Sequence, residues 1–117
     1  MLQPISWILA LLLFVGTGVV RADERSDARD QVDFGIEVAR RGLWKEAIYR
    51  WYRAIDLDPT YAAAWNNLAI ALEQEGQLEE ALEAYENALD LEPNHLGIEQ
   101  NYDLFLEAYD RVNQNSR

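Results

Sequence analysis

AAAWNNLAIALEQEGQLEEALEAYENALDLEPNH, residues 62–95, decides how this chain folds. Trp65, Leu68, Ala69 and Leu72 recur at helical spacing among good helix formers, then Gly76 breaks the run. Leu78, Ala81, Leu82, Tyr85, Ala88 and Leu89 resume the period until Glu92-Pro93 ends it. The stretch therefore reads as a helix, a turn and a second helix. Glycine suits the left-handed backbone that closes a helix, and proline lacks an amide donor and disfavours helix at the residue before it.

A step of 34 residues toward the N-terminus carries Pro93 onto Pro59, Ala88 onto Ala54, Ala81 onto Ala47 and Gly76 onto Gly42. One unit is written twice, as 28–61 and 62–95. In the first copy Trp44, Ala47, Ile48, Trp51, Ala54 and Ile55 take the inward positions of the second helix. Val32, Phe34, Ile36 and Val38 alternate with charges like a strand when read alone. Equivalent positions share a conformation, so the second copy assigns them to a helix.

The opposite step predicts a fifth helix from about residue 98 to 112, with Ile98, Tyr102, Phe105, Leu106, Tyr109 and Val112 on one face. Phe34, Leu68 and Tyr102 keep the step, as do Val38, Leu72 and Leu106. The set Gly35, Ala69, Asp103 ends in a charge where close helix contact needs a small residue, so Asp103 predicts that no partner helix follows. Residues 96–112 thus form a capping helix and 113–117 a tail. A unit of this length cannot bury its apolar face alone, so the expected fold is all-α, an antiparallel helix-hairpin repeat stack.

Ahead of the repeats, Trp7 to Val20 reads WILALLLFVGTGVV, followed by Val20-Arg21-Ala22 and a polar leader at 23–27. Small residues at the end of an apolar run suit an export peptidase cutting after Ala22, which makes 1–22 a signal peptide and places the mature chain in the periplasm or outside the cell. An uncleaved membrane anchor is the alternative. Fourteen apolar or small residues span about 21 Å as a helix, short of a hydrocarbon core of about 30 Å. The chain contains no cysteine, which excludes disulfides, thiolate metal sites and cysteine-linked lipid.

The net charge is −11, and its distribution is uneven. From Ala54 to Asp110 there are fourteen acids and no Lys or Arg, whereas Asp23 to Arg53 holds seven of each sign. Such a field disfavours nucleic acid and anionic lipid as partners. It leaves three readings open: a docking face for a basic partner, head-to-tail contact with another copy, or a solvated face, since Glu79, Glu80, Glu83 and Glu86 fall opposite Ala81, Leu82 and Tyr85.

Catalytic machinery is missing from the pattern. His95 is the single histidine and stands in a loop without a partner, while Asp56 and Asp58 lack the glycine and closing glutamate of a calcium loop. No catalytic, cofactor or metal site is expected. Trp44, Trp51 and Trp65 occupy positions that pack between helices. Tyr49 and Tyr52 widen the apolar face of their helix and, with Arg53, suggest a second contact patch.

Trp65, Leu68, Ala69, Leu72, Gly76, Leu78, Ala81, Tyr85, Ala88 and Pro93 resemble the pattern of the tetratricopeptide repeat family, specifically a small exported bacterial-type member with two repeats and a cap. The first copy departs where Gln31 stands in place of Trp65 and Phe34 in place of leucine. The resemblance implies a right-handed stack whose first helices line a concave groove for a peptide or helix of a partner protein. By register the lining would comprise Arg29, Val32, Asp33, Ile36 and Arg40 from the first unit, Asn66, Asn67, Ile70 and Gln74 from the second, and Asn101 from the cap. Asp33, Asn67 and Asn101 recur at the repeat step, and amides there suit a bound peptide backbone. Val32 and Ile36 stand where carboxylate-gripping members carry polar residues, which argues against that mode. The expected function is a non-catalytic exported scaffold or adaptor; a dimerising structural element of an envelope complex is the alternative.

Overall fold

The computed structural model describes residues 20–117. They form α1 (Ala22–Arg40), α2 (Trp44–Leu57), α3 (Ala62–Gln74), α4 (Leu78–Leu91) and α5 (Leu96–Asn115), with no strand among the described residues. The export or anchor segment lies outside the described residues except for Val20, Arg21 and Ala22. No helix among the described residues is long and apolar enough to cross a membrane.

Two helix pairs, α1 with α2 and α3 with α4, pack as hairpins, and α2 lies against α3 between them. Each hairpin turns on a glycine with positive φ, Gly42 at 77° and Gly76 at 75°. That conformation lets the amides of Gly42 and Leu43 donate to the carbonyls of Ala39 and Val38, satisfying the helix end. Gly76 and Gln77 repeat the pattern on Glu73 and Leu72.

The core is built mostly from small residues that allow close approach. Ala28, Ala47, Ala54, Ala64, Ala69, Ala71, Ala81 and Ala88 are fully buried, with Leu68, Leu72, Tyr85 and Phe105 filling the larger gaps. Helix α5 covers the open side of α4 through aromatic packing: Phe105 lies 5.2 Å from Tyr85 and 5.5 Å from Tyr109, centroid to centroid. Asp103 is exposed, as its charge requires.

Several boundaries differ from those read in the sequence. Helix α1 begins at Ala22, so the polar leader 23–27 is its opening turn and a half rather than a separate segment. The cause is tertiary. Arg25 reaches the carboxylate of Asp58 and the hydroxyl of Thr60, and its guanidinium lies 5.1 Å above the Tyr61 ring. Asp58 is fully buried and also accepts from the Thr60 amide at 3.0 Å and hydroxyl at 2.6 Å. Burial pushes this carboxyl upward, but the Thr60 bonds and then Arg25 outweigh it and hold it below its ordinary range. Helix α5 runs from Leu96 to Asn115, so it continues past residue 112 into the segment read as a tail. Its first turn is capped by His95, whose Nδ1 accepts from the Ile98 amide at 3.2 Å.

Candidate functional site

Where α1, α2 and α3 meet, the surface opens into a hollow of about 250 Å³ lined by Ile36, Ala39, Arg40, Trp44, Trp51, Asn67 and Ile70. Ile36, Ala39 and Arg40 are brought together by one turn of α1, and Asn67 and Ile70 by one turn of α3. The lining is almost wholly apolar, with Arg40 and Asn67 supplying its polar groups. Such a recess suits an apolar side chain of a polypeptide flanked by hydrogen-bonding groups.

Trp51 fixes the depth of the hollow. It is 3% exposed, and its indole N–H donates to the Val32 carbonyl at 3.1 Å. This seat exists because residue 35 has no side chain: a Cβ there would lie 2.4 Å from Nε1 of Trp51 and 2.7 Å from Cε2. The second repeat makes the opposite exchange, with Ala69 at the small position and the slimmer Tyr85 at the aromatic one. Tyr85 is 1% exposed and donates to Glu73 at 3.0 Å. Burial first, then the neighbouring Glu73 charge, raises its phenol well above the ordinary tyrosine range. Ala39 occupies the position of Glu73 in the first repeat, so a methyl group rather than a carboxylate adjoins the hollow that the buried indole helps to line.

The residues assigned to the groove by register divide into three groups. Ile36, Arg40, Asn67 and Ile70 line the hollow. Arg29, Asp33 and Gln74 are exposed on the same helices outside it. Asn66 and Asn101 bind each other, the Asn101 amide nitrogen donating to Asn66 Oδ1 at 3.2 Å, which ties α3 to α5. Val32 is a correction: it is 3% exposed, packed in the core between α1 and α2, and presents only its carbonyl, to Trp51.

The tryptophans also need revision. Trp51 is buried as expected but forms a wall of the hollow as well, and Trp44 is half-buried and lines it. Trp65 is half-buried and donates to the Pro59 carbonyl at 2.9 Å, pinning the turn between repeats. Ala39, Trp44 and Trp51 were not among the residues assigned to the groove. For Ala39 a signal was present, because 36, 39 and 40 share a helix face. Leu104 offers another: it continues the step from Ile36 to Ile70 onto α5, where it is 66% exposed.

The proposed aromatic patch separates into two surroundings. Tyr49 shares the Arg50 guanidinium with Phe34, at 5.4 and 4.2 Å from the two ring centroids. Tyr52 instead lines a cleft of about 190 Å³ with Trp65, Leu68, Leu72, Glu80, Glu83 and Ala84. Arg53 is exposed and lines neither feature.

Comparison with known proteins agrees with this architecture. Residues 62–95 match the family model described as tetratricopeptide repeat, and residues 38–75 match a second described as TPR repeat. No curated protein matches the chain. Among solved structures, the C-terminal TPR-containing domain of a Plasmodium falciparum FK506-binding protein superposes with a TM-score of 0.71 at 21% identity, covering 94% of this chain and 77% of that one. At that identity the likeness speaks for the fold alone. Tetratricopeptide repeats generally mediate protein–protein interaction and are typically non-catalytic. Together the two matches span residues 38–95, over which this chain is similar to the tetratricopeptide repeat family.

Proposed function

We propose that the chain is an exported, non-catalytic scaffold or adaptor that holds a peptide or helix of a partner protein against the concave surface of its repeats. The observation that carries this reading is the apolar hollow of about 250 Å³ lined by Trp44, Trp51, Ile36 and Ile70, with Arg40 and Asn67 as its polar groups. An apolar anchor of the partner would enter there, with Asn67 and Arg40 bonding the adjoining backbone. Asp33, Arg29 and Gln74 would extend the contact along α1 and α3. Export is supported by the apolar run that ends at Val20-Arg21-Ala22.

Chemical crosslinking in envelope fractions tests the reading. Ile70→Glu together with Asn67→Ala should abolish partner capture while leaving the helical spectrum unchanged, and this protein, recovered from those fractions, should begin at Asp23. Capture that survives both substitutions in a folded protein would remove the concave face from consideration.

A second reading, self-assembly through the first repeat, draws on Phe34. Its equivalent Leu68 is 1% exposed beneath the preceding hairpin, whereas Phe34 is 47% exposed because no hairpin precedes it among the described residues. Sedimentation across concentration separates the two readings, since a tight dimer supports assembly.

A further inference from the structure

The cleft of about 190 Å³ between α2, α3 and α4 shares no lining residue with the concave hollow. Its floor is Leu68, Leu72, Ala84 and the Trp65 ring, and its mouth carries Tyr52, Glu80 and Glu83. The two glutamates lie one turn apart on α4, and neither is in an ion pair among the described residues. Their field is felt inside: burial first, then Glu80 and Glu83, raise the Tyr52 phenol.

The first repeat shows what this position holds when it is filled. One repeat step back, Leu68 becomes Phe34, Glu80 becomes Glu46, Glu83 becomes Tyr49 and Ala84 becomes Arg50. There the Arg50 guanidinium bonds Glu46 at 3.0 Å and lies 4.2 Å over the Phe34 ring. The chain thus supplies its own cation to the first copy of the site. In the second copy the arginine is replaced by Ala84, the acid is kept as Glu80 and a second acid is added as Glu83; the preceding hairpin covers Leu68 and contributes Tyr52, and a cleft of about 190 Å³ remains.

We propose that this cleft is a receptor for the guanidinium of an arginine side chain presented by a partner polypeptide. Glu80 and Glu83 take its N–H groups, as Glu46 does for Arg50, and Tyr52 and Trp65, the latter standing where the first repeat has Gln31, supply the aromatic surface that Phe34 supplies there. Arginine is favoured over lysine because a flat, weakly hydrated cation fits between ring faces where a compact ammonium keeps its water. The site is separate from the concave face, so its failure and that of the groove reading are told apart by which substitutions matter.

The test titrates the full chain with blocked tripeptides Ala-Arg-Ala, Ala-Lys-Ala and Ala-norleucine-Ala, following the Trp65 indole N–H by NMR. The arginine peptide should shift that signal and bind at least about fivefold more tightly than the norleucine peptide, with the lysine peptide between them. Glu80→Gln with Glu83→Gln should lower arginine-peptide affinity about tenfold. Both positions are exposed, so the fold should be unaffected. Ile70→Glu should leave this binding unchanged. The assignment is overturned if no peptide moves the Trp65 signal, if norleucine or lysine binds as well as arginine, or if the double glutamine variant binds like the parent.

Discussion

Gly35→Ala is the substitution through which the packing argument is most exposed to refutation. The added methyl would stand 2.4, 2.7 and 2.9 Å from three atoms of the Trp51 indole, where ordinary contact begins at 3.4 Å. The ring must retreat by about 1 Å, which forfeits much of its dispersion contact. That retreat also breaks the 3.1 Å bond to the Val32 carbonyl. Overpacking costs about 1–3 kcal/mol, and the lost buried hydrogen bond adds about 1 kcal/mol. Alanine recovers about 1 kcal/mol of helix propensity over glycine. The net is a destabilisation of about 1–3 kcal/mol, a fall in Tm of roughly 4–20 °C for a domain of this size. Thermal melts by circular dichroism measure it. Because the second repeat solves the same contact with Ala69 and Tyr85, Gly35→Ala combined with Trp51→Tyr should be more stable than Gly35→Ala alone, with a coupling of about 1 kcal/mol or more. A Gly35→Ala protein that melts at or above the parent temperature would refute the reasoning.

Two further outcomes test how the ends are held. Arg25→Ala should cost about 1–2 kcal/mol in urea unfolding, since it removes a charged partner from buried Asp58. Because the Asp58 pKa is lowered on folding, its contribution is complete above the unfolded carboxylate value of about 4 and is lost as pH falls through the folded one. The parent should therefore lose stability over that acid range more steeply than Arg25→Ala. Phe105→Ala should cost about 3–5 kcal/mol and release α5 first, seen as amide exchange in Leu96–Asn115 that outpaces exchange in α3.

Repeat spacing makes the hairpins legible in the sequence, because glycine and proline punctuate each unit and the apolar period runs between them. The strand-like alternation of Val32 to Val38 was settled the same way. The start of α1 was hidden because Asp23 to Asp27 carry no apolar period; it is held by Arg25 reaching a carboxylate more than thirty residues away. Val32 was misplaced for a related reason. Register assigns a face, but its neighbour Trp51 needs the Gly35 gap, and that draws α2 close enough to cover Val32. The arginine-shaped cleft was equally hard to see, since the informative change, Arg50 to Ala84, looks like ordinary drift until both surroundings are compared.

If the proposed groove binds an extended segment, the exchange of Gly35 and Trp51 for Ala69 and Tyr85 gives it a direction. An extended segment crossing it meets an indole-walled recess beside Ala39 at one end and, one repeat on, the carboxylate of Glu73 occupied by a phenol. A partner threaded backwards would bring its apolar anchor to the carboxylate and its polar groups to the recess. On that reading the near-duplicate halves of this chain would favour one polarity of a bound segment, something two identical halves would do far less well.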